Sequence, residues 1–262
     1  MKNRLIPVLL LLNGQLVRSE QFQIHQVIGD PVHEVERFNQ WSVDELIYLD
    51  ISRHDYYDLR RDDKKITGLS TPLEILNQVS KTCFMPLTWG GRVRRIEQMH
   101  EYYACGADKI SLNSQAYRDP SLITEAARRF GSQAVVVNID VLRHTDGSRC
   151  EVFIDGGSIP TGMTPEEWAR QVEDLGAGEI LLQSIDRDGT GRGYDIDLIH
   201  RVASVTSIPV IALGGVGVYE HYEKGIEAGA SAVAAANIWH FKELSDRGGK
   251  RSLLRAGIPV RM

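Results

Sequence analysis

PLTWGGRVRRIEQMHEYYACGADKISL, residues 86–112, returns in outline as PVIALGGVGVYEHYEKGIEAGASAVAA, residues 209–235. Pro86, Gly91, Glu97, Gly106 and Ala107 recur 123 positions later as Pro209, Gly214, Glu220, Gly229 and Ala230, with no gap. The competing explanation is chance similarity between strand–helix units, since Gly-Ala before a strand is common. Five identities at one constant offset speak against it. A repeat of about half the chain makes the third and fourth units copies of the seventh and eighth. Two copies of four units close a barrel with approximate twofold symmetry, which an open sheet does not require.

Outward from this stretch, short apolar runs alternate with amphipathic ones. Strands are predicted at 5–11, 45–50, 84–88, 109–112, 134–140, 179–183, 209–213 and 232–235. Most are continuously apolar, the pattern of parallel strands covered on both faces. Helices are predicted between them, among others at 72–82, 94–103, 115–130, 165–175 and 195–206. Eight strand–helix units point to an α/β fold of the (β/α)8 TIM-barrel type with an internal half-barrel repeat. An open doubly wound sheet is the alternative.

Composition agrees with a single domain over residues 1–262. The chain has 42% apolar and 25% charged residues, which excludes a disordered or fibrous protein. Thirty basic against 35 acidic side chains leave a net charge of -5, so no basic footprint for nucleic acid or an anionic membrane is expected. The three cysteines, Cys83, Cys105 and Cys150, lack metal-ligand spacing and read as free thiols in a reducing compartment. The run LIPVLLLL at 5–12 is too short to span a bilayer, and no small-x-small cleavage site follows it. It reads as a buried strand, and a cytoplasmic location is expected. The scattered histidines show no ligand pairing, so no metal is expected, and no cofactor is expected either.

In such a barrel the chemistry belongs at the C-terminal strand ends. Asp140 ends the fifth strand in VVVNID, with a plain helix N-cap as the other reading. Asp50 ends the second strand, and Asp186 and Asp188 lie in the loop SIDRDGTGRG. Carboxylates gathered at one mouth raise each other's pKa, as general acid–base work requires. Gly189, with Gly214, Gly215 and Gly217, lets backbone N–H groups approach an anion, and Ala236 and Asn237 complete that cradle. The repeat-related set is Gly90, Gly91 and Arg92, with Asn113 and Ser114. Two anion sites suit a small molecule carrying a phosphate at each end, although tight turns need glycine in any case.

LDI at 49–51, GADKISLN at 106–113, FGSQAVVVNID at 130–140 and GAGEILLQSIDRDGT at 176–190 together resemble the cyclase subunit of imidazole glycerol phosphate synthase. The resemblance implies a barrel paired with a glutaminase subunit as a heterodimer. Ammonia would pass along its interior to a doubly phosphorylated substrate. It implies Asp140 as a catalytic acid or base, and Gly189, Gly215, Ala236 and Asn237 as one phosphate site. Asn113, Ser114 and Arg92 would form the other. A charged ammonia gate falls on Arg4, Glu45, Lys109 and Glu179, with solvated strand ends as the plainer reading. Asp108 is expected at the glutaminase interface.

The departures matter as much. The family's other catalytic aspartate is here Leu10, its first-loop lysine is Arg18, and a phosphate-site glycine is Arg92, just after Trp89. Loss of a positioned acid or base costs about 10²- to 10⁴-fold in rate. Residues 52–71 form a long loop on the catalytic side, carrying Arg53, Tyr56, Tyr57, Arg60, Arg61, Lys64 and Lys65. A solvated loop and a lid or docking segment are both open readings. The LLL run in the first strand resembles the family branch tied to surface-polysaccharide synthesis, where ammonia goes to a separate enzyme that amidates an N-acetyl sugar nucleotide. An ordinary cyclase of histidine biosynthesis and a non-catalytic activator of the glutaminase are the competing functions. Related single-chain sugar isomerases fit least, because they need both strand-end acids.

Overall fold

Arg4–Leu12 (β1) enters the interior of the molecule at its second residue and stays buried to Leu11. It lies parallel between Leu46–Asp50 (β2) and Ala232–Ala235 (β8). Leu87–Gly90 (β3), Lys109–Leu112 (β4), Val135–Arg143 (β5), Glu179–Ser184 (β6) and Val210–Leu213 (β7) continue the parallel ladder. Pairing of β5 with β6 closes it into a ring of eight strands. The chain is therefore a (β/α)8 barrel, seen in a computed structural model. That model describes residues 2–41, 43–54, 57, 69–144, 147, 149–242 and 245–261.

The half-barrel repeat reappears as identical backbone bonds. Leu46 N donates to Pro86 O and Ile180 N to Pro209 O, both at 2.9 Å. Asp108 N donates to Leu87 O and Ser231 N to Val210 O, both at 2.8 Å. The paired glycines share their left-handed backbone: φ is 103° at Gly91 and 107° at Gly214, 105° at Gly106 and 109° at Gly229. No side-chain-bearing residue adopts these angles cheaply, so the glycines recur with the geometry.

Helices Pro31–Gln40 (α1), Pro72–Thr82 (α2) and Ile96–Ala104 (α3) cover the first half outside the barrel. α2 has the predicted bounds because its signals are local: Thr71 caps Glu74 N, and Pro72 opens the first turn. The helix expected at 115–130 is instead two, Ser114–Arg118 (α4) and Ser121–Phe130 (α5). Pro120 forces Asp119 out of helical geometry (φ -137°, ψ 83°), which breaks the run. Pro165–Asp174 (α6) begins at a capping box of Thr164 and Glu167. Ile196–Ala203 (α7), Glu220–Glu227 (α8), Ile238–Phe241 (α9) and Ser245–Arg255 (α10) complete the set. No described helix is long and apolar enough to cross a membrane.

The third strand starts at Leu87, not at residue 84 as predicted. Pro86 has no N–H to donate, and Phe84 lies on the preceding turn with 87% of its surface exposed. Two antiparallel additions escaped the sequence reading. Gln15–Glu20 folds back on β1 through Asn13–Gly14, both at positive φ, and pairs with Ile24–Gly29. Cys150–Ile154 folds back on the extension of β5 and carries Ile159–Pro160. Asn-Gly is the preferred two-residue hairpin turn and was the available signal for the first.

Two apolar layers result. Leu5, Leu9, Trp89, Val137 and their neighbours pack between the strands and the helices. Ile6, Val8, Leu10, Ile47, Leu49 and Val136 belong to a separate cluster inside the barrel. Alternation along each strand assigns every remaining side chain to one layer or the other.

A candidate active site at one end of the barrel and a charge ring at the other

At the N-terminal strand ends, four side chains meet in a closed circuit. Arg4 Nη1 lies 2.7 Å from Glu45 Oε1 and 2.8 Å from Glu179 Oε1. Lys109 Nζ lies 3.0 Å from Glu45 Oε2 and 2.9 Å from Glu179 Oε2. Signs alternate around the ring and sum to zero, so each buried charge has two opposite neighbours. Burial works against charge on Arg4, but Glu179 and Glu45 outweigh it and raise its pKa. Burial also pushes the Glu45 carboxyl up, and Arg4 and Lys109 more than reverse this, leaving it low. The predicted ring residues are thus brought together, and they are mostly withdrawn from water rather than solvated.

Asp108 and Phe84 stand at this same end, before β4 and β3. The Asp108 carboxylate accepts a hydrogen bond from Leu87 N at 2.8 Å, so one of its oxygens is used within the fold. Phe84 is largely presented to solvent, which the predicted strand had hidden.

At the opposite end Asp140 faces the interior, because Val136 on the same strand belongs to the inner cluster. Asn113 Nδ2 donates to its Oδ2 and Asn138 Nδ2 to its Oδ1, each at 3.1 Å. Burial nonetheless dominates: it raises the Asp140 pKa to about 7, against those two hydrogen bonds and with help from the Asp188 charge. A group titrating near neutrality can both give and take a proton. Leu10 lies in the wall of the same interior, 4% exposed, registered against Leu49 and Val17. No proton-handling group therefore stands at its position.

The other expected acids are engaged elsewhere. Asp50 has the opposite alternation to Leu49 and points away from the lumen, where its Oδ2 accepts from Tyr57 Oη and Arg92 Nη2, both at 2.7 Å. Asp186 accepts from Arg143 N. Asp188 accepts from Ser19 Oγ at 2.6 Å and from Phe22 N, and burial raises its pKa.

The first anion cradle is covered by the hairpin 15–29. Gly189 has φ +70°, and a Cβ there would lie 2.3 Å from Ser19 O; one on Gly215 would lie 2.2 Å from Gly193 O. Both glycines are required by close backbone approach alone. Asn237 Nδ2 donates to Ser19 O at 2.9 Å, next to Ala236. Of the second set, Asn113 turns toward Asp140, while Ser114 Oγ donates to Asn113 Oδ1 and accepts from Asp155 N. Arg92, at φ 56°, reaches Asp50 and His54 O and lies 5.1 Å from the Tyr57 ring centroid. Its guanidinium is paired with the Asp50 carboxylate at 2.7 Å. Arg18, which stands for the expected lysine, bonds Gln26 and covers the Phe241 ring. Tyr57 is the one tyrosine of the long loop that can be placed; Tyr56, Arg60, Arg61, Lys64 and Lys65 lie outside the described residues. No described group of three or more His, Cys, Asp and Glu could hold a metal ion.

Comparison with known proteins agrees with this architecture. Residues 4–245 match the model of a family described as histidine biosynthesis protein. The chain is 42% identical over 260 residues to the imidazole glycerol phosphate synthase subunit HisF of Wolinella succinogenes, covering 99% of this chain and 98% of that one.

Proposed function

The chain belongs to the histidine biosynthesis protein family, and from that premise we propose that it is a HisF-like subunit that receives ammonia from a glutaminase partner. The glutaminase docks at the N-terminal strand ends, against the face that carries Asp108 and Phe84. Ammonia passes the ring of Arg4, Glu45, Lys109 and Glu179 and moves along the interior toward Asp140. It then supplies a separate enzyme that amidates an N-acetyl sugar nucleotide in surface-polysaccharide synthesis. The observation that carries this reading is the contrast between the two ends: a complete charge ring at one, and Leu10 in place of half an acid pair at the other. A wall of hydrocarbon suits neutral NH₃ better than ammonium, because the ion would have to shed its water. The acceptor class rests on the resemblance of LIPVLLLL to the polysaccharide branch. Gly189, Gly215, Ala236 and Asn237 would still hold one phosphorylated ligand, while Arg92, paired with Asp50, leaves the second site weakened.

The experiment combines the chain with its glutaminase, a candidate sugar amidotransferase and glutamine labelled with ¹⁵N at the amide. Label in the sugar product, dependent on this chain, is expected. Label that never reaches sugar, while free ammonia does, overturns delivery. Glutaminase stimulation that survives without any transfer would favour a non-catalytic activator.

A second reading is favoured by Asp140 itself, whose pKa of about 7 is kept at the mouth. On that reading the chain is a genuine cyclase working with one acid. Turnover of the bis-phosphorylated cyclase substrate with saturating ammonium and no partner would establish it; rescue of a histidine-requiring strain would agree.

A further inference from the structure

The interior of the barrel is not uniform. β1, β2, β7 and β8 line it with hydrocarbon, such as Ile6, Leu10, Ile47 and Ile211. β3 to β6 add, besides the charged Asp140 and Glu179, four buried uncharged polar side chains at interior positions: Thr88, Ser111, Asn138 and Gln183. Asn138 stands out among them. It is 8% exposed and sits two residues before Asp140 on the same face of β5. Its Nδ2 donates to Asp140 Oδ1, while its own Oδ1 is buried and meets no donor among the described residues.

That oxygen cannot be relieved by turning the amide over. Against the ionised Asp140 the flip would set oxygen against oxygen and lose the bond at 3.1 Å; in either protonation state it would leave the NH₂ unpaired in the interior instead. A buried acceptor left unpaired costs about 1–3 kcal/mol, so a native site of this kind is commonly completed by something that donates. The missing partner must be small enough for a filled barrel interior and must bring N–H or O–H groups. It also lies beside a carboxyl able to exchange a proton near neutrality.

We infer that Asn138 is the nitrogen-positioning residue of this barrel: its Oδ1 accepts a hydrogen bond from ammonia or ammonium, which it holds against Asp140. The chemical identity of the ligand rests on the ammonia-delivery reading above; the orphaned acceptor does not. At rest the proton stays on ammonium, which pairs with the ionised Asp140; as the acceptor draws on the nitrogen, one proton passes to the carboxylate, leaving neutral NH₃ and a protonated carboxyl. Its nitrogen lone pair is then free for the acceptor. Nδ2 keeps Asp140 aligned through the transfer, and Asn113 does the same from β4.

The test follows the Asp140 carboxyl by ¹³C NMR through a pH titration of the full chain, without glutaminase, glutamine or sugar. Ammonium chloride is compared with tetramethylammonium chloride at equal ionic strength. In the native chain, ammonium should lower the apparent Asp140 pKa by about half a unit, a threefold change in proton affinity. In Asn138→Leu the ammonium-dependent shift should vanish, whatever the variant's starting pKa. Asn138→Ala serves if the leucine variant does not fold. No ammonium response in the native chain overturns the proposal and leaves water as the occupant. An equal response in native and variant chains also overturns it, because a cation would then pair with Asp140 unaided. Because no transfer is measured, an ammonium response without label in the sugar would sink the delivery reading and leave the site intact. Label in the sugar without an ammonium response would do the reverse.

Discussion

Asp140 carries a cost that its surroundings impose. The carboxyl has an ordinary value of 3.8 and is raised to about 7 by burial, so the folded chain binds a proton that the unfolded chain releases. Stability is therefore greatest below about pH 4 for this group and falls as pH rises to about 7, by at most about 4 kcal/mol. Asp140→Asn should raise the thermal midpoint most at pH 8, less at pH 5 and hardly at all near pH 3, while abolishing any proton-transfer chemistry; scanning calorimetry across these pH values checks the sign. Leu10→Asp is the complementary change. It buries a carboxyl among Leu49 and Val17 and should cost about 3 kcal/mol or more in denaturant unfolding. Cyclase turnover should not recover, and a sharp gain would favour the second functional reading. Asp140 could be found from sequence because an apolar strand ending in a carboxylate is a local signal. Asn138 was passed over, since an asparagine inside a strand gains meaning only when its two side-chain atoms can be followed to partners.

At the scale of elements, local chemistry decided some boundaries and neighbours decided others. Thr71–Pro72 starts α2 where predicted, whereas Pro120 divides a run whose apolar periodicity continues across it. The hairpin 15–29 was missed, although Asn13–Gly14 announced a turn, because its strands are short of apolar alternation. That hairpin determines the meaning of Gly189. Gly189→Ala would need a Cβ 2.3 Å from Ser19 O at φ +70°, so the loop must shift and loosen the Ser19–Asp188 bond. A loss of about 1–3 kcal/mol is expected, with faster amide exchange in the hairpin than elsewhere. The same change at an anion cradle that did not touch the hairpin would spare those amides.

For the whole molecule, closure of the barrel creates what no segment contains. Lys109→Met would leave Glu45 and Glu179 facing a hydrocarbon, with Arg4 as their remaining cation in the ring. Breaking a buried charge set in this way costs about 3–5 kcal/mol, and denaturant titration should show it. In the reconstituted complex, glutamine hydrolysis should continue while nitrogen transfer drops. Phe84→Ala should leave the isolated chain's stability unchanged and weaken glutaminase binding by about 1–3 kcal/mol in calorimetry, as expected of an exposed aromatic anchor. The barrel itself was legible in the chain alone, because strand burial, helix caps and a 123-residue repeat are written in residues close together or equally spaced. The four ring charges were expected from the family resemblance, and their meeting as alternating pairs is the work of barrel closure. The commitment of Arg92 to Asp50, and the unpaired oxygen beside Asp140, were settled by the closed structure. Side-chain direction and partner depend on strand register and on which loops fold back, and these are set by packing between segments far apart along the chain.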